Sequence, residues 1–219
     1  MKFVRAAVVM LAAGTVAMTG AQAKQGDVIV RVRAIDVIPQ EDSGAILPSL
    51  DSSSVKVNDT ITPEIDFTYM VADNIGLELI AATSRHTITG VGPVVGGVDV
   101  MKTNALPPTL TLQYHFAPDA QVRPYVGAGI NYTTFFNSKP TGDFEGAAGA
   151  TKIKMKDSFG WAVQAGVDIP LNDRFFVNLD AKYIKIDTKA TLTTANLGTQ
   201  SVKVDLDPIV IGIGVGTKF

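Results

Sequence analysis

From Pro208 to Phe219 the chain alternates large apolar side chains with small ones and stops on Phe219. Ile209, Ile211, Ile213, Val215 and Phe219 share one parity, and Gly212, Gly214, Gly216 and Lys218 share the other. Successive side chains of a strand point to opposite faces, so this segment shows oil on one side and a crowded interior on the other. A strand so apolar on one face, closing on an aromatic, points to the bacterial outer membrane.

The N-terminus agrees with export. Lys2 and Arg5 precede an apolar run from Ala6 to Met18, and Ala21-Gln22-Ala23 supplies a small-x-small cleavage site. This is the pattern of a secretory signal peptide, too short for a membrane anchor, and it places the mature chain at 24–219 as one domain. The absence of cysteine excludes a disulfide framework and thiolate chemistry. Two histidines far apart in sequence give no zinc site, and no other cofactor is expected. Lys and Arg total 19 against 21 Asp and Glu, without a basic cluster, so nothing suggests a nucleic-acid partner.

Beyond residue 23 no uncharged apolar stretch reaches the ~18 residues a membrane helix needs. Lipid offers no water to an unpaired N–H or C=O, so strands can cross only as a closed barrel. Eight segments fit: about 28–37, 62–70, 75–84, 109–116, 124–136, 159–169, 175–186 and 208–219. The first sets Val28, Val30, Val32 and Ala34 outward against Arg31 and Arg33, and the second sets Ile65, Phe67 and Tyr69 against Glu64, Asp66 and Thr68. The third places Glu78 and Ile80 inward, and the seventh does the same with Asn178, Asp180 and Lys182. The expected fold is all-β, an eight-stranded antiparallel up-and-down transmembrane barrel.

The connections alternate in length. Long stretches fall at about 38–61, 87–106, 137–157 and 188–203, and short turns at 71–74, 117–122 and 170–174. Outer-membrane barrels keep short turns on the periplasmic side and long loops outside, so both chain ends should be periplasmic. Aromatics divide between the two ends: Tyr69, Tyr114, Phe116, Tyr125, Phe175 and Phe219 at one, Tyr132, Phe135, Phe136, Phe159 and Trp161 at the other, as two girdles. A soluble lipocalin-like barrel also alternates, with the apolar face turned inward, and parity alone does not separate the two.

An eight-stranded barrel is about filled by its own side chains, so no porin-like channel is expected. Arg31, Arg33, Glu64, Asp66, Glu78, Asp180 and Lys182 mix both signs inside and should pair, because an unpaired charge in a tight lumen costs several kcal/mol. Some eight-stranded outer-membrane barrels are acyltransferases, and Ser84 and His86 near the outer rim supply a hydroxyl and a base. Nothing in the sequence fixes a third group beside them, so no catalytic residues are assigned and the chain is not read as an enzyme. The stretch Gly90-Val91-Gly92-Pro93-Val94-Val95-Gly96-Gly97 lacks the Lys-Ser/Thr of a phosphate loop and reads as a flexible loop. Glu145 to Ala150 suits a short helical turn, and Lys152, Lys154 and Lys156 alternate onto one strand face, where solvent or lipopolysaccharide phosphates would meet them.

Longer motifs carry a family resemblance. Phe67-Thr68-Tyr69-Met70 with Asp73-Asn74-Ile75-Gly76, Leu106-Pro107-Pro108-Thr109-Leu110, the run from Arg123 to Phe136, Lys156-Asp157-Ser158-Phe159-Gly160 and Asp205-Leu206-Asp207-Pro208 resemble the OmpW family over nearly all of the mature chain. The resemblance implies an outer-membrane barrel, related to the alkane importer AlkL, that gives small hydrophobic molecules passage and releases them laterally into the membrane. The lumen constriction it implies falls on Ile80 and Lys182. Lys182 departs from relatives that can carry a bulky aromatic there, and would close the lumen with charge. Gly214 and Phe219 match the assembly signal that barrel-assembly machinery is thought to read, although Thr217 stands where an aromatic is common. The implied partners are outer-membrane lipids, lipopolysaccharide, the assembly machinery and small hydrophobic molecules, with the barrel a monomer or weak oligomer. The alternative is a surface structural or interaction protein that contacts lipopolysaccharide, host, phage or bacteriocin without transport.

Overall fold

The computed structural model describes residues 24–116 and 120–219; the expected signal peptide and the centre of the 117–122 turn lie outside these. In chain order the elements are β1 (Val28–Ile38), β2 (Asp42–Ser43), β3 (Ser54–Val57), β4 (Thr60–Ala72), β5 (Ile75–Ala82), β6 (Ser84–Val91), β7 (Asp99–Leu106), β8 (Thr109–His115) and β9 (Arg123–Pro140). They continue through α1 (Gly142–Ala148), β10 (Thr151–Met155), β11 (Ser158–Pro170), β12 (Phe175–Ile184), β13 (Asp187–Thr194), β14 (Gly198–Asp205) and β15 (Ile209–Lys218).

Eight of these strands form the barrel, in the order β11-β12-β15-β1-β4-β5-β8-β9, and β9 pairs back onto β11 from Ser158↔Thr133 to Asp168↔Arg123. Every neighbour is antiparallel, and the ladder closes without a free edge, as hydrocarbon requires. The first and last strands meet at Arg31↔Gly216 and Arg33↔Gly214. Gly214 faces the lumen, where an added Cβ would run into the Arg33 backbone, so a small residue there gives the arginine its room.

Side-chain direction decides between the two kinds of barrel. Phe67, Leu79, Leu112, Ile130, Ile211 and Ile213 stand exposed on the outer wall, whereas Arg31, Asp66 and Glu78 are fully buried inside. A soluble barrel would invert this, so the outer face is the one that meets lipid. Two residues of the expected girdles belong elsewhere. Tyr125 is 1% exposed and points into the lumen, and Phe135 lines the interior near the outer end. Both share the inward parity of Gly127, Gly129 and Asn131, and that parity outweighs their position at a strand end.

The long connections are mostly strand rather than open loop. β6 pairs with β7, β7 with the upper part of β9, and β3 with β6; on the other side β10, β13, β14 and β2 form a four-stranded sheet. These hairpins raise the wall above the barrel and share an apolar inner layer that includes Val57, Ile88, Met101, Leu192 and Val202. The helical turn expected at 145–150 is α1, beginning three residues earlier. Its Thr141 cap accepts the Phe144 N–H at 3.3 Å, and Phe144 and Ala148 are buried against the same layer. The glycine-rich stretch at 90–97 is a tied turn: the Gly90 N–H reaches the Val98 carbonyl, the Gly97 N–H reaches that of Gly90, and Val95 is buried.

Candidate functional site

Strands β1, β4, β5, β11 and β12 bring seven charged side chains to one level of the lumen, where they meet neutral partners from these strands and from β8 and β9. Arg31 forks onto Asp168, with Nη2 to Oδ2 at 2.8 Å and Nε to Oδ1 at 3.3 Å, and its Nη1 donates to Asp66 Oδ1 at 3.2 Å and Thr68 Oγ1 at 2.9 Å. Arg33 Nε donates to Glu64 Oε1 at 2.8 Å, its Nη2 lies 2.5 Å from Asp66 Oδ2, and its Nη1 donates to Asn178 Oδ1 at 2.9 Å. Glu78 Oε2 accepts from Thr111 and Gln164, and its Oε1 sits 3.7–3.8 Å from both arginines. The Tyr125 ring carries the Arg31 guanidinium 5.0 Å from its centroid, and its hydroxyl donates to Asp180 at 2.7 Å. Each arginine thus serves several carboxylates, the arrangement in which buried charge is tolerated.

Lys182 caps this network from above, its Nζ 2.8 Å from Glu64 Oε1 and 2.6 Å from Asp180 Oδ1. Over that floor opens a cup with about 1110 Å³ of empty space counted to its open mouth. Its walls come from barrel and hairpins together, with Ile35, Ile80, Ile88, Phe135, Leu192 and Val210 among the apolar lining. A smaller recess at the short-turn end, near His115, Asp168 and Phe176, shares no lining residue with the cup. The charged network stands between the two.

The backbone ladder of the cup wall is interrupted in more than one place, and one interruption lies at Pro107. Between β5 and β8 pairing ends at Ile80↔Thr109 and resumes between β6 and β7 at Ser84↔Ala105. In the register common to both sides Ala82 faces Pro107, and neither Pro107 nor Pro108 has an N–H to donate. The Pro107 carbonyl is served by side chains, Thr109 Oγ1 at 2.9 Å and Asn131 Nδ2 at 3.2 Å, and the Pro108 carbonyl accepts the Tyr132 N–H on the far side. This seam is level with Tyr132 and Phe159, which stand exposed at the outer end of the barrel.

Ser84 and His86 lie at its upper edge. His86 Nε2 is 2.9 Å from Ser84 Oγ, and its Nδ1 is 3.0 Å from the Asn58 carbonyl oxygen. The pair that the sequence left without a third group therefore has one, a backbone carbonyl rather than a carboxylate. Burial pushes the His86 imidazole below its ordinary pKa and keeps it neutral.

The sequence model of the OmpW family matches residues 24–219. The chain belongs to the OmpW family. It is 41% identical to Outer membrane protein W of Escherichia coli over 196 residues, covering 89% of each chain. The crystal structure of the outer membrane protein OprG from Pseudomonas aeruginosa superposes with a TM-score of 0.84 at 33% identity, covering 93% of this chain and 99% of that one. The solid-state NMR structure of AlkL in lipid bilayers shares the fold, with a TM-score of 0.66 at 23% identity over 96% of this chain and 97% of that one. Membership places the chain in the outer membrane, in contact with its lipids.

Set against this OmpW-family barrel, the sequence-derived residues fall in three places. Arg31, Arg33, Glu64, Asp66, Glu78 and Asp180 meet in the lumen, Ile80 and Lys182 lie in the wall and floor of the cup, Gly214 sits on the closing strand and Phe219 directly follows it. Asp168, Asn178, Tyr125 and Gln164 complete the network, and the signal the sequence offered for them was inward parity, which in the girdle reading of Tyr125 was outweighed by its place near a strand end. The upper cup, from β6, β7, β13 and β14, was missed because those stretches read as loops. Alternation such as Thr188, Ala190 and Leu192 against Lys189 and Thr191 was the available sign.

Proposed function

We propose that this OmpW-family barrel gives small hydrophobic molecules passage from the outside into the outer leaflet, through the cup and the seam rather than through the charged lumen. The reading is carried by one observation: the cup is apolar on its walls, closed below by Lys182, Glu64 and Asp180, and broken at its side between Ala82 and Pro107. An apolar solute gains about 25 cal/mol per Å² of surface withdrawn from water, so the cup concentrates it, and the charged floor turns it back. Sideways is the route of least desolvation.

The test is uptake of a small apolar solute by cells with an intact outer membrane, with the protein present, absent, or carrying Ile80→Trp. Faster uptake with the protein, slowed severalfold by tryptophan in the cup, supports passage. Uptake that does not depend on the protein, with the barrel folded by heat-modifiable gel mobility, rejects it for that solute.

A surface role has its own observation. Lys156, Lys189 and Lys203 lie directly across β10's end, β13 and β14, and Lys152 and Lys154 continue the same exposed face. Like charges directly opposite across strands are unfavourable unless an anion shares them. Lipopolysaccharide phosphates at that height are the proposed partner, and Lys189→Gln with Lys203→Gln should weaken salt-sensitive binding of purified lipopolysaccharide. Unchanged binding counts against it.

A further inference from the structure

The cup is apolar almost throughout, yet Ser84 and His86 place a polar pair in its wall beside the seam. The hydrogen-bond inventory of this pair is determinate. The Asn58 carbonyl can only accept, so His86 Nδ1 carries the proton directed at it. In the neutral ring Nε2 is then a bare acceptor, and the Ser84 hydroxyl must donate to it. The single proton of Ser84 is committed, and its oxygen retains lone pairs that no other side chain among the described residues fills. Ser84 therefore offers the cup an acceptor and nothing else.

We propose that the cup selects apolar molecules bearing one hydroxyl, a phenol or an aliphatic alcohol, whose O–H donates to Ser84 Oγ while the hydrocarbon body lies against Ile80, Ile88 and Phe135. This rests on the cup being the binding site of the function proposed above and names the class of molecule it favours. A hydroxyl entering an apolar cavity without a partner gives up its hydrogen bonds to water, so a wall with no acceptor rejects alcohols in favour of hydrocarbons. Ser84 removes that penalty for a donor, whereas an ether or ketone of the same shape finds no proton to accept. His86 is a positioning residue here: it holds the Ser84 proton away from the ligand. Its position next to the gap between Ala82 and Pro107 puts the bound hydroxyl at the edge of the exit.

The experiment compares 1-naphthol with 1-methoxynaphthalene, which differ in the O–H, by equilibrium dialysis against the folded barrel in lipid nanodiscs, with empty nanodiscs subtracted. Naphthol should bind about three- to tenfold more tightly, the range of one net hydrogen bond. Ser84→Ala combined with His86→Phe, which also removes the acceptor that His86 Nε2 would offer once Ser84 is gone, should level the two by weakening naphthol alone. On its own, His86→Phe frees the Ser84 proton to donate and should raise methoxynaphthalene affinity, an opposite change that a loss of folding would not mimic. Equal binding of both probes by the unaltered protein, or a naphthol preference that survives the double variant, overturns the proposal and leaves the apolar cup standing. Binding of neither above empty nanodiscs overturns the cup reading as well.

Discussion

Lys182 Nζ lies 2.8 Å from Glu64 Oε1 across the lumen, and the two residues are 118 positions apart in the chain. β12 and β4 are not neighbours in the ladder, so this ion pair ties opposite parts of the wall and closes the floor of the cup. Removing one member of a buried pair leaves the other charged and dry. Lys182→Met should destabilise the barrel by about 3 kcal/mol in urea unfolding from lipid vesicles, and adding Asp180→Asn should recover part of that loss. A single variant as stable as the parent would mean that the floor is not a structural pair.

The seam can be closed covalently because the natural chain has no cysteine. Ala82→Cys with Pro107→Cys places two thiols at facing positions on either side of the missing ladder. Oxidation should slow uptake of an apolar solute severalfold and reduction should restore it, with each single variant insensitive to oxidant. Equal uptake in both redox states would show that solutes do not leave between these strands.

His86 should make stability fall with acid. It sits above the outer ring of aromatics, and burial lowers its pKa from 6.5 in the folded state. The unfolded chain then binds the proton more readily, so the contribution is fully present above about pH 6.5 and is lost as pH falls toward the depressed value. His86→Gln should flatten that part of the profile. Urea midpoints at pH 7.5 and pH 5.5 for both proteins check this, and parallel profiles would assign the acid sensitivity to other groups.

Phe219 is exposed at the end of the closing strand, and its backbone pairs with Val28 in both directions at 2.9–3.0 Å. Deleting it removes two ladder hydrogen bonds and the terminal aromatic that assembly machinery is proposed to read. The expected result is lower yield of heat-modifiable barrel in outer-membrane fractions at equal synthesis. Unchanged yield would place the assembly signal elsewhere in β15.

The barrel itself was legible because its code is binary. Ile209, Ile211 and Ile213 against Gly212 and Gly214, or Phe67 against Asp66 and Thr68, repeat with period two, and lipid accepts one parity and closed pairing alone. Tyr125 shows the limit: its place near a strand end suggested the girdle, whereas its parity put it over Arg31. The hairpins of the cup were less legible. Their outer faces meet water rather than lipid, so threonine and lysine occupy them and the contrast between faces weakens.

By itself the sequence determined the class of fold, the eight crossing segments, which side chains of a strand share a face and the family, because each is set by local alternation or by an unbroken run of motif. Which arginine meets which carboxylate, the height at which Lys182 closes the floor, the break opposite Pro107 and the contact of Ser84 with His86 were decided only in three dimensions. Those relationships depend on how far each strand is staggered against its neighbours around a closed ring. Stagger is a property of the whole circuit, and no single strand carries it.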